Sequence, residues 1–172
     1  YEAAGVDFDT KGMGFYLGAR YTAKETTGIP WIELSYTLRT GDEDATDTDD
    51  NTFYSYENVR EAAILEDHYY GLDIDTNYQA WKIMGGCKVD VGTTPRKLRF
   101  DALLGFFRID ETDQDDDLGT EFDIGATLEY TANLAFDAKL AFLFGASGIE
   151  PFNPVENEDS ARLFTAGATV RF

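Results

Sequence analysis

The chain is poor in the residues that build several common kinds of site. It has one cysteine (Cys87), one histidine (His68) and 4 prolines. A lone cysteine excludes an internal disulfide framework and a cysteine-rich zinc site. So few prolines, beside 13 Phe, 10 Tyr and 2 Trp, do not describe a solvated disordered tail. Bases are scarce as well: 14 against 33 acids gives a net charge of −19, which would repel the phosphates of nucleic acid. No run approaches the roughly 18 apolar residues of a spanning helix, so a helical membrane protein is excluded. A negative mean hydropathy, −0.35, leaves a membrane β-barrel open, because a barrel sets its apolar residues at alternate positions only. Neither an initiator methionine nor a signal peptide stands at Tyr1, so a mature form, an excised piece or the C-terminal part of something longer is expected.

What the chain does have is alternation. In residues 162–172, Phe164, Ala166, Ala168, Val170 and Phe172 fall on one face, with Leu163, Thr165, Gly167, Thr169 and Arg171 between them. That period of two marks a strand with one greasy and one wet face. Seven further segments follow it: 1–9, 13–23, 30–40, 78–91, 97–108, 120–131 and 134–145. Segment 78–91, for example, sets Trp81, Ile83, Cys87, Val89 and Val91 against Lys82, Met84, Lys88 and Asp90. Asp9–Gly12 reads as a turn. From the third strand onward long and short connections alternate, long at 41–77, 110–119 and 146–161, short at 92–96 and 131–133. Within 41–77, Asn58 to Glu66 reads as a short helix, Asn58 capping it and Glu61 following three residues on. Tyr70–Asp75 reads as an extension of the next strand.

The expected fold is therefore all-β: an antiparallel transmembrane β-barrel, one domain over 1–172, with eight strands in this chain. Strands of about 9–12 residues suit a tilted crossing of the hydrocarbon. Short periplasmic turns, long extracellular loops and periplasmic termini are the barrel convention, which makes 41–77 a long extracellular acidic loop. A soluble β-sandwich also alternates. Aromatic residues at the outward strand ends, with Ala, Gly and Leu between them, favour the girdled barrel of a bacterial outer membrane. Its partners would be outer-membrane lipid, lipopolysaccharide and the barrel-assembly machinery. Phe172, Val170 and Phe164 form the expected assembly signal, with Phe172 at the periplasmic edge.

Half of the 14 bases, namely Arg20, Arg39, Lys82, Lys88, Arg99, Lys139 and Arg171, fall on inward positions. So do Glu33, Asp90, Asp101, Glu121, Asp123, Glu129 and Asp137. In a wide lumen the bases could form an electropositive ladder for anionic solutes. In an eight-stranded barrel the interior is just wide enough for side chains, so the two signs would pair and fill it. The first arrangement gives a porin-like channel for passive passage of anionic or sugar-like solutes. The second gives a small closed structural or interaction barrel with ligand- or lipopolysaccharide-contacting loops.

The runs Asp42–Asp50 and Asp110–Asp117 carry six acids each. Close-set oxygens suit Ca²⁺ or Mg²⁺, and Asp42, Asp44, Asp115 and Asp117 are the candidate ligands. The spacing of an EF-hand is absent, so solvated loops without a metal are the simpler expectation. His68 would need a neighbouring serine for hydrolase chemistry, and Ser35, Ser55, Ser147 and Ser160 lie in no nucleophile-elbow context, so no enzyme activity is expected.

The stretch Tyr36–Phe53, the run Asp117–Ile124 and the run Tyr130–Phe136 resemble the alginate-export porin family. Members of that family are larger barrels. The resemblance thus implies that this chain is the C-terminal part of such a barrel, starting inside a strand at Tyr1. It further implies passage of anionic polysaccharide or other small solutes through a charged lumen.

Overall fold

The computed structural model describes residues 9–42, 49–55, 61–92, 96–112, 115–147 and 160–172. Among these residues nine strands run in chain order: β1 (Asp9–Thr10), β2 (Gly14–Thr22), β3 (Trp31–Arg39), β4 (Asp49–Asp50), β5 (Tyr78–Val91), β6 (Arg96–Ile109), β7 (Asp117–Glu129), β8 (Leu134–Phe144) and β9 (Ser160–Val170). Seven of them form one antiparallel sheet in the order β2-β3-β5-β6-β7-β8-β9, so neighbours along the chain are neighbours in space. β1 and β4 pair separately and in parallel.

The seven strands of the sheet lie where alternation sets them, within about three residues at each end. Closure does not follow. Among the described residues β2 and β9 are the two edges of an open sheet. The segment expected to close it, 1–9, lies outside the described residues except for Asp9. Asp9 itself pairs in parallel with Asp49, and the Lys11 amide donates to the Asp50 carbonyl (2.9 Å). The expected turn at Asp9–Gly12 is therefore extended chain lying along 49–52. Gly12 is pressed so close to Thr52 that a Cβ there would overlap the Thr52 carbonyl oxygen.

The helix expected over 58–66 is not formed in its described part. Residues 61–66 make a bend and turns, with one helical bond from the Glu66 amide to the Ala62 carbonyl (3.3 Å). The carbonyls of Ile64 and Leu65 turn back to accept from Leu72 and Ile74 (2.6 and 2.8 Å), which ends any helical run. Residues 70–75 belong to that return and do not extend β5.

The two faces of the sheet differ in polarity and in what covers them. One carries exposed Leu34, Trp81, Ile83, Phe100, Phe106, Ile124, Leu140, Phe144 and Phe164. Pairing brings its aromatics together near the long connections: Tyr36 is opposite Trp81, with ring centroids 4.7 Å apart, and Trp81 is opposite Phe106. The opposite face is covered at the same end by 61–74. There Ala62, Ile64, Leu65 and Ile74 pack into one core with Tyr78, Leu103, Phe107, Ile109, Leu118 and Leu143. A break in register between Phe107 and Arg108 leaves Leu118 as the extra residue of a bulge, buried in that core. Gly119 makes the bulge possible with φ +100°, and a Cβ there would lie 2.7 Å from the Phe144 carbonyl oxygen. Gly119→Ala is expected to cost about 1–3 kcal/mol. A urea titration of the folded chain checks this, and an unchanged midpoint would show that the bulge tolerates a side chain.

Candidate functional site

The covered face builds its most organised polar cluster where 61–66 lies against β5 and β7. In residues 61–65 five successive backbone amides point at carboxylates. Glu66 Oε2 accepts from Glu61 and Ala62 (3.2 and 3.0 Å), Asp123 Oδ2 from Ala63 (3.0 Å), and Glu121 Oε1 and Oε2 from Ile64 and Leu65 (2.7 and 2.9 Å). A turn leaves these amides without backbone partners, and burial makes each one costly unless it is bonded. The carboxylates meet that need, which is why the segment can be buried without being a helix.

The cluster also holds its own counter-charge. Lys82 is fully buried, with Nζ 2.6 Å from Glu61 Oε2 and 2.8 Å from Glu66 Oε1. The Tyr78 hydroxyl donates to the same Glu66 oxygen (2.9 Å). Lys139 approaches Asp123 at 3.9 Å, too long for a good hydrogen bond but close enough to offset charge. Four carboxylates and two ammonium groups thus meet beneath one turn of chain, and they fasten the loop to the sheet.

The other expected inward residues fall into separate groups among the described residues. Arg20 pairs with Glu33 (3.2 Å) and lies 3.8 Å over the Trp31 ring at the β2–β3 edge. Arg39 donates to the Asp75 carbonyl and faces the Tyr78 ring. Lys88 pairs with Glu129 (2.8 Å). Arg99, Asp101, Asp137 and Arg171 make no ion pair among the described residues. Phe164, Val170 and Phe172 are exposed.

The acidic loops use their described carboxylates to close turns. Asp42 accepts from the Asn51 amide (3.4 Å) and Asp117 from the Gly119 amide (2.8 Å). The amide and hydroxyl of Thr52 hold the Asp50 carboxyl below its usual range. The Ser147 hydroxyl and the Asp117 amide do the same for Asp115. Asp44 lies outside the described residues, and no group of three or more metal-ligating side chains is assembled among those described. His68 bonds Asp73 (2.7 Å) on an exposed turn, while Ser35 lies opposite Lys82 and Ser160 opposite Phe144.

Sequence alone marks Glu61 only as a helix-capping residue and does not single out Glu66 or Tyr78. Two signals pointed to them. Ala62–Leu65 is an apolar run inside a strongly acidic loop, and such a run needs a place to be buried. Leu103 and Phe107 occupy positions where alternation calls for polar residues, so that part of the face had to be covered. Comparison with protein-family models, with curated proteins and with solved structures gives no match.

Proposed function

We propose that this chain forms the wall of a bacterial outer-membrane β-barrel channel, whose polar face lines a path for small anionic or sugar-like solutes and whose 61–66 segment narrows that path. The observation that carries the reading is the polarity of the sheet. Large apolar side chains are bare on one face, whereas Lys82, Glu121 and Asp123 are buried on the other. A soluble sandwich puts its greasy face inside, and an exposed apolar surface of this extent calls for lipid or a partner. Lipid suits the paired aromatics at the strand ends, which match the girdle of a membrane barrel. The resemblance to alginate-export porins supports an anionic polysaccharide or sugar acid as the solute class. Outer-membrane lipid, lipopolysaccharide and the barrel-assembly machinery are the partners this placement requires.

A second reading is supported by the core beneath 61–74, which fills one end of the polar face. It makes the chain a closed structural or interaction barrel whose loops do the binding. Planar-bilayer conductance separates the two. The channel reading expects single-channel currents from chain folded in detergent, identified by a heat-dependent shift on gel electrophoresis. Folded chain that passes no current would leave only the structural barrel. Chain that stays folded and monomeric in water without detergent would overturn both.

A further inference from the structure

We propose that the short-turn end of the covered face carries a binding site for a small tetrahedral oxyanion such as phosphate, held by Arg99 and Arg171. Both residues line one cavity of about 250 Å³ between the 131–133 turn and strands β6 to β9. That is below the roughly 300–1,000 Å³ of sites for drug-sized ligands, so it fits a small hydrated ion and not a sugar chain. Thr127 and Thr169 contribute hydroxyls to the lining, and register places Arg99, Thr127 and Thr169 on the covered face.

The charge balance favours an anion. In a chain of net charge −19, neither Arg99 nor Arg171 has an ion-pair partner among the described residues. The one carboxylate in the lining, Glu129, is engaged by Lys88 at 2.8 Å. Two guanidinium forks without a close ion pair, Arg99 also acting on Glu129 at longer range, match the several acceptor oxygens of a phosphate better than they match a halide. A phospholipid headgroup is the less suitable source of that chemistry, because the cavity opens on the face opposite the exposed apolar side chains. As a step in solute passage the site rests on the channel reading. As a binding site it requires only that the face be wet.

Equilibrium dialysis of the full chain, folded in detergent, against radiolabelled inorganic phosphate tests the site, with chloride holding ionic strength constant. One saturable phosphate per chain is expected. Arg99→Gln and Arg171→Gln should each weaken it about tenfold or more. Arg99→Lys, which keeps the charge and loses the fork, should fall between, and Lys24→Gln on the exposed β2–β3 connection should change nothing. Non-saturable binding, or saturable binding that both glutamine variants leave intact, would overturn the proposal. Phosphate bound by a chain that passes no current would retain the site and remove the channel. Current without phosphate binding would do the reverse. Vesicles of phosphatidylcholine with and without phosphatidylglycerol form the lipid arm: phosphate displaced only by the anionic lipid would assign the cavity to a headgroup and overturn the free-ion site.

Discussion

Lys82→Ala should destabilise the folded chain by about 3–5 kcal/mol, the cost of removing one partner from a buried ion pair and leaving the other charges uncompensated. Lys82 has no exposed surface and lies within 2.8 Å of both Glu61 and Glu66. Without it, the buried Glu66 carboxylate and the partly exposed Glu61 share a site with no cation between them, and the Tyr78 hydroxyl remains as the donor to Glu66. Apolar packing alone would not hold the segment. Ordering six residues costs on the order of 6–12 kcal/mol at about 1–2 per residue, whereas burying Ile64 and Leu65 returns about 1.5–3 each. The carboxylate contacts therefore decide whether the loop stays down. Beyond the lower urea midpoint, limited proteolysis should cut within 61–77 faster than in the wild type, and on the channel reading the current should rise as the path opens. Adding Glu66→Gln to Lys82→Ala should cost less than the two single changes summed, since the residues share one network. A loss under about 1 kcal/mol from Lys82→Ala would mean that packing holds the segment after all.

The strands were legible from sequence because a half-buried strand writes its two faces at a period of two, and β5 to β9 keep that phase apart from the bulge at Leu118 and the apolar Leu103 and Phe107 on the covered face. Residues 61–66 were not, for a specific reason. Their sequence has the cap and acid spacing of a helix, but the amides of Ala63, Ile64 and Leu65 are satisfied by Asp123 and Glu121, which stand on β7 about sixty residues away. Local propensity carries no information about such a partner, and tertiary hydrogen bonds override it. The same limit applies to the inward charges. Parity placed Lys82 and Asp123 on one face, as observed, but it gave no means of knowing that the partners of Lys82 would come from a loop and not from neighbouring strands. Nor could parity decide closure, since an open sheet and a barrel share the same alternation.

If the apolar face meets lipid, as the channel reading requires, Ile124→Arg should cost about 2–4 kcal/mol of folding free energy in lipid vesicles, because it would set a cation at the depth where the hydrocarbon is thickest. Ile124 lies near the centre of β7, opposite Ala102 on one side and Leu140 on the other, and its side chain is exposed. In water the same substitution would be a surface change worth no more than about 0.5 kcal/mol. The size of the effect thus discriminates between lipid and solvent on this face, which stability measured in water cannot do. Position along the strand adds a second criterion. Val170 is also exposed but lies at the short-turn end, paired with Leu134 beside the 131–133 turn. Near an interface the penalty for arginine falls to about 0–1 kcal/mol. Val170→Arg should therefore be tolerated where Ile124→Arg is not, a gradient with depth that lost packing would not produce. Urea titrations of both variants in vesicles measure it. Equal and small losses at the two positions would mean that the apolar face meets a protein partner or water, and the membrane reading would fall with them.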